Sequence, residues 1–599
     1  MLKTLSTIDL VVVVLLLLFL VVASMYSSFK KKDAETYFMA GRSLKWYSVA
    51  GSIFGTNIHA QQIVGMMGVG YSVGFAQSHY EIWAIPAILI LAYVFIPLYR
   101  KGQFFTLSQF LEQRYNAQAR LAYTILIITF ITITLVGSFY IGSRMLGLLT
   151  VGTGYELSYG QGILLIAFIT ILFTVFGGME SVVTADNILT VIMITAVVLM
   201  GTMTYMQPEV GGLMGLLKMD HASANKMHLY LPANHKDLPW LGIFSGLTIL
   251  NLFYWTTNQY QVQRVLAAKT DRDAKLGIIA AGFLKLLIPF FSIGAGTAAF
   301  YLFKARFGEN SVKPDDTFLM LLKTVVPDGY GVKGLILAGL ICAIFSAIYS
   351  MMNSVSTMAA YDLFKKYIKP DAPDNQVVRF GQSFVVLMCA VACVLAWATF
   401  DPNSNGNFFL DIAKRTSYIK PGLVITFFWG ILWRQTNPLA AVIVLLGCPV
   451  IGLGCDWMYE NVLTHLEIVR NTFGVTFGFL YRVFSISVFG SILLVILSKI
   501  FNKNQPDFDR GAAYELVIPF GGIGKVLLQV AAIHIPMIFL AYNGFASPQV
   551  VAIPAAILTF LLCLWYWKST DYETPFYESD IFYAGLLSGA MVWMMYFFA

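Results

Sequence analysis

The sequence predicts an all-α polytopic membrane protein, and three observations predict it. Hydrophobic residues make up 58% of the 599 positions and charged residues only 12%, where a soluble domain carries roughly 25% charge. Apolar runs of about 20 residues recur from end to end, each long enough to cross a hydrocarbon layer of about 30 Å. The third observation is a polar patch, Asn57-Ile58-His59-Ala60-Gln61-Gln62, inside an apolar stretch from Trp46 to about Val73. In hydrocarbon each unpaired amide or backbone group costs several kcal/mol. Such a patch survives where it lines a protein-enclosed cavity near the bilayer midplane. Gly51 and Gly55 precede it and are expected to ease unwinding of the helix there.

About 15 or 16 spans can be drawn. Their approximate limits are 8–27, 45–71, 79–98, 120–148, 160–177, 180–206, 239–262, 277–303, 331–361, 377–399, 408–433, 438–459, 476–499, 522–543, 549–567 and 580–598. The first run, Ile8 to Ala23, is followed by Lys30-Lys31-Lys32. A cleaved leader has the opposite polarity, so this reads as an uncleaved first helix. Lys30 to Lys32, Arg100-Lys101, Arg264 to Lys275, Lys365-Lys366, Arg434 and Lys499 to Lys503 fall on one side if the N-terminus is outside, as the positive-inside rule asks. The net charge of +7 is then loop charge, not a nucleic-acid footprint. The six cysteines show no metal-ligand spacing and read as small core residues. No Asn-x-Ser/Thr sequon occurs, which favours a bacterial plasma membrane over a glycosylated surface.

A second polar interruption falls in the span 239–262, at Asn251 and at Thr256-Thr257-Asn258-Gln259. It lies five spans after the first. Two broken helices at matching positions of two five-span halves point to an inverted repeat, with the binding site at the breaks.

Charges inside spans are costly unless paired or solvated. Glu81, Asp186 and Lys285 are the candidates, and for each a helix-end charge reaching the interface is the bland alternative. Lys285 is eight residues into its apolar run, too deep for easy escape. Tyr80, Tyr254 and Trp255 read as interface aromatics when taken alone. Beside Asn251, Gln62 and Glu81 they also fit a sugar, whose hydroxyls need amides and carboxylates and whose C–H face needs an aromatic plane. His59 is open between a core residue, a proton carrier and a solute contact. The outer half of 408–433 carries Asp411, Lys414, Arg415 and Lys420. These are either extracellular turns or a basic lining for an anion.

Several strings resemble the sodium:solute symporter family, especially its sodium/glucose (galactose) cotransporter branch. They are Tyr37-Phe38-Met39-Ala40-Gly41-Arg42-Ser43-Leu44, Asn57 to Gly65, Gly68-Val69-Gly70-Tyr71-Ser72, Phe110-Leu111-Glu112-Gln113-Arg114-Tyr115-Asn116, Asn251 to Arg264, and Ser350-Met351-Met352-Asn353-Ser354 with Tyr361-Asp362. They run from about Asp33 to Trp433, about two thirds of the chain.

The resemblance implies a leucine-transporter-like core of five plus five inverted-repeat helices at 45–433. Residues 1–44 would add a helix and linker, and 434–599 peripheral helices. It implies Na⁺-coupled symport of a sugar or sugar-like solute across the plasma membrane by alternating access, and no enzyme activity. Carried over by position, the solute site comprises Asn57, Gln62, Glu81, Asn251 and Lys285. Tyr254 and Trp255 would lie on the inner side, and Tyr80, Met66 and Phe409 on the outer. Two further sugar contacts are replaced, by Ala84 and Ala413. The Na⁺ site would use carbonyls of Gly55, Ile58 and Ala343 and the hydroxyl of Ser346, with Asp186 nearby. A second hydroxyl is lost at Ala347, which keeps proton-coupled or uncoupled transport open. Lys414 and Arg415 motivate an alternative solute, an acidic sugar such as a uronate or a sialic-acid-like compound. A channel would want filter-like loops, and an enzyme a nucleophile–base or metal constellation; neither pattern is found in the sequence.

Overall fold

The computed structural model describes residues 6–26, 33–58, 60–150, 156–223, 225–308, 312–399, 408–502, 520–570 and 575–599. His59, Lys30 to Lys32 and Lys503 lie outside the described residues. Among the described residues no strand forms; two isolated bridges, Leu44 with Ala268 and Leu231 with Pro239, are the only β pairing. Among the described residues eleven helices are long and apolar enough to cross a membrane. Three shorter apolar helices, Thr7–Leu16, Tyr159–Ile171 and Lys420–Leu432, also fall where spans are expected. The remaining two expected spans, 45–71 and 239–262, are the broken ones, made of pieces each too short to cross alone.

The sequence turns where it must. The fourth and fifth core spans meet at Gly178, whose φ of +64° splits the helix Tyr159–Tyr205. A Cβ there would lie 2.8 Å from the Tyr37 ring and 2.9 Å from its carbonyl oxygen, so both conformation and space demand glycine. Gly51 and Gly55 have a different role from the one expected. The helix Trp46–Asn57 stays regular through both. A Cβ on Gly51 would lie 2.0 Å from Asn187 Oδ1, and one on Gly55 2.9 Å from Thr190 Oγ1. They let the helix Gly178–Tyr205 approach closely; they do not unwind anything.

One span differs from expectation. The stretch 408–433 is two helices, Phe408–Thr416 and Lys420–Leu432. Pro421 has no N–H to donate back to Ser417, and the Ser417 hydroxyl donates to the Lys414 carbonyl at 2.6 Å, a local bond that competes with the helix.

Burial separates centre from edge. The most apolar window of Val332–Ile368 is 94% buried, whereas that of Lys525–Tyr542 has no buried residue. The helix Trp46–Asn57 is packed between Gly178–Tyr205 and Asp271–Lys285. The last helix, Asp580–Phe597, packs on Asp271–Lys285 and on Pro548–Thr570. Among the described side chains five cysteines are free, with Cys389, Cys448 and Cys455 buried.

Candidate solute and cation sites

Each break frees backbone groups that need new partners. The helix Trp46–Asn57 ends at Ile58 (φ −88°, ψ +74°) and a second helix begins at Ala60. In the other broken span a wide turn, Phe253–Thr257, ends at Asn258 in an extended conformation, and helix resumes at Gln259. The Tyr99 hydroxyl donates to the Thr256 carbonyl at 2.9 Å and that of Tyr123 to Thr257 at 2.8 Å. These two buried tyrosines hold the second break open. No local signal singles them out, since a tyrosine in an apolar span reads as core.

A cavity of about 120 Å³ lies between the breaks. Asn57, Gln62, Tyr80, Asn251, Tyr254, Trp255, Lys285 and Phe409, all expected, line it. Glu81 stands behind this wall, fully buried. Gln62 Nε2 donates to Glu81 Oε1 at 2.8 Å, and Lys285 Nζ donates to Glu81 Oε2 at 2.5 Å and to Asn57 Oδ1 at 2.8 Å. The four side chains form one chain of bonds from three different spans. Neither Glu81 nor Lys285 is a helix-end charge reaching water. Lys285 Nζ also lies 5.2 Å from the Trp255 ring centroid, within cation–π range. Asn251 Nδ2 donates to the Trp83 carbonyl at 3.1 Å, leaving its oxygen for another partner.

Tyr80 and Phe409 meet edge to face at 5.4 Å. They pack with Leu231 and Leu238 of the long connection before the second broken span, so that connection covers this end of the cavity. Met66 is not on the wall; it is fully buried in the apolar core. Ala413 lines the cavity, and Ala84 is buried.

The basic lining expected from Lys414 and Arg415 is corrected. Lys414 Nζ pairs with Asp237 at 2.9 Å and Arg415 with Asp411 at 2.8 Å. Both cations are about half exposed and neither lines the cavity. Asp237 is far away in sequence, so the charge pattern alone did not reveal the pairing.

Beside the first break lies a second polar cluster. The Asp186 carboxylate, with no exposed surface, accepts from Ser52 Oγ at 2.7 Å, Ser346 Oγ at 2.5 Å and Thr56 Oγ1 at 3.4 Å. Ser346 Oγ is also 3.1 Å from the Gly55 carbonyl, and Thr56 and Ser350 hydroxyls are 2.9 Å apart. Arg264 Nη2 stands 3.9 Å from Asp186, while another guanidinium nitrogen bonds the Tyr260 carbonyl. Ala343 and Ala347 are buried on the same helix as Ser346. The cluster supplies a carboxylate, hydroxyls and a carbonyl, all hard oxygen donors of the kind a small cation requires. Ser52, Thr56 and Ser350 were missed in the sequence. Their signal was spacing: Ser52 with Thr56 and Ser346 with Ser350 are each four apart and so share a helix face.

The sequence comparisons agree with this architecture. A model of the sodium:solute symporter family matches residues 37–447. The sodium/glucose cotransporter of Vibrio parahaemolyticus is 32% identical over 465 residues, 73% of this chain and 83% of that protein. The sodium/myo-inositol cotransporter 2 of Rattus norvegicus is 29% identical over 490 residues, 75% of this chain and 70% of that protein. A solved structure of a Na⁺-coupled sialic acid symporter shares the fold, with a TM-score of 0.70 at 19% identity over 83% of this chain and 98% of that one. With 69% of its length under the family model, this multi-pass membrane protein belongs to the sodium:solute symporter family.

Proposed function

We propose that this symporter carries a sugar or sugar-like solute through the cavity between the two breaks, driven by Na⁺ held at Asp186. The observation that carries the reading is the bonded series Gln62–Glu81–Lys285–Asn57 beside the Trp255 ring. It offers amide and charged groups for hydroxyls, and an aromatic plane for the C–H face of a sugar ring. The relatives, a glucose and a myo-inositol cotransporter, support a polyhydroxylated solute.

Na⁺ would take the carbonyls of Gly55, Ile58 and Ala343 with the Ser346 hydroxyl. The missing oxygen at Ala347 would be made up by Thr56, Ser350 or Asp186. Residues 45–433 would form the moving core and 434–599 a peripheral layer. The bacterial relative favours the inner membrane as the location. Coupling requires that Na⁺ bind the outward-open and inward-open states with different affinity.

The test is uptake of labelled sugars into proteoliposomes under an inward Na⁺ gradient, compared with K⁺ and with a pH gradient. Gln62→Ala and Asn251→Ala should each weaken uptake at least about tenfold, about 1.4 kcal/mol. Uptake that ignores Na⁺ and follows pH contradicts the cation half of the reading. Uptake unchanged in both variants contradicts the solute half.

A further inference from the structure

Two lysines line the solute cavity, and they differ in what they meet. Lys285 is bonded to Glu81 and Asn57. Lys420 meets no carboxylate, carbonyl or hydroxyl within bonding distance among the described residues; its Nζ lies 5.4 Å from the Phe130 ring centroid and 5.9 Å from that of Phe253. Both rings belong to the same cavity wall.

We propose that Lys420 anchors a single negative charge on the transported solute, so that the sugar carried is a sugar acid, a uronate or a related carboxylated sugar. The inference rests on reading the cavity as a sugar site and narrows the class of sugar. The charge inventory supports it. Lys285 is balanced by Glu81, and Lys414 and Arg415 are balanced outside the cavity. Among the described residues that leaves Lys420 as the lysine of the cavity wall without a carboxylate partner.

A cation enclosed within a membrane protein is costly unless it is paired. The faces of two aromatic rings attract it more weakly than an anion does. Lys420 sits at the break between Phe408–Thr416 and Lys420–Leu432, with its Nζ turned toward the Phe130 and Phe253 rings of the cavity wall. There it opens a 13-residue helix, whose N-terminal end adds positive potential at the same spot.

The size of the charge selects the anion. One lysine balances one carboxylate. A phosphate monoester brings up to two charges and three strong acceptor oxygens and would leave charge unpaired.

The test is equilibrium binding to the full-length protein in detergent with saturating Na⁺. Each neutral hexose is paired with its matched uronate, glucose with glucuronate and galactose with galacturonate, and hexose 6-phosphates form a third arm. The expected result is that at least one uronate binds tenfold or more tighter than its neutral partner and tighter than its phosphate. Lys420→Gln should bring the uronate-to-neutral ratio to within twofold, while Lys420→Arg, which keeps the charge, should preserve most of it. Equal binding of neutral and acidic partners by the native protein overturns the inference and leaves the sugar reading standing. So does a preference that survives Lys420→Gln, and a preference for the phosphate overturns the carboxylate assignment. If no member of any series binds, the sugar reading itself falls, and this inference with it.

Discussion

Two buried acids, Glu81 and Asp186, sit beside the same broken helix and are treated in opposite ways. Glu81 is closed: a lysine at 2.5 Å and an amide at 2.8 Å occupy its two oxygens. Asp186 is open: its arginine stays 3.9 Å away, and three hydroxyls approach it instead. Hydroxyls can turn their lone pairs toward an arriving cation, and an ammonium cannot. The contrast fits the proposed division of labour, in which the fully paired carboxylate would build a fixed wall for the solute and the loosely paired one would serve the cation.

The largest expected effect comes from opening the closed acid. Lys285→Ala leaves Glu81 buried and uncompensated, which costs about 3–5 kcal/mol. Solute affinity should fall by at least about 100-fold, near 2.7 kcal/mol, with a clear drop in thermal unfolding temperature. Asp186→Asn should unfold at a higher temperature than Glu81→Gln, because Arg264 loses a partner that it holds only at 3.9 Å. Equal destabilisation by the two changes would erase the distinction between them.

Ser346→Ala removes the hydroxyl that reaches both Asp186 and Gly55. The Na⁺ concentration for half-maximal uptake should rise at least about tenfold, or 1.4 kcal/mol. Ala347→Ser sharpens the comparison from the other side. An added hydroxyl on the neighbouring position should lower that concentration by about threefold, the scale of one neutral hydrogen bond. The smallest effect is expected from Lys414→Gln. Its pair with Asp237 is partly exposed, worth about 0–1 kcal/mol, so sugar affinity should stay within about twofold.

The sequence made the spans, both breaks and most of the cavity wall legible, because each signal was local. Polar residues inside apolar runs mark Asn57, Gln62 and Asn251; depth within a run marks Lys285. What stayed hidden depends on partners distant in the chain. Lys414 looked like a cavity cation because Asp237 belongs to another segment. Gly51 and Gly55 looked like unwinding points because the helix that presses on them, with Asn187 and Thr190, is far along the sequence. Glu81 was placed on the wall and lies behind it, since only the packing shows that Gln62 and Lys285 stand in front. The break at Ser417 to Ile419 carried a local signal in Pro421 that hydropathy alone concealed.

The most direct test of the two-acid account is equilibrium binding of ²²Na⁺ and of labelled sugar, each measured without the other, to Glu81→Gln and Asp186→Asn. Measuring each ligand alone removes the reciprocal coupling that would otherwise mix the two sites. The account predicts that Glu81→Gln loses sugar binding and keeps native Na⁺ affinity, and that Asp186→Asn loses Na⁺ binding and keeps measurable sugar binding. Loss of Na⁺ binding in Glu81→Gln, or native Na⁺ affinity in Asp186→Asn, would contradict it.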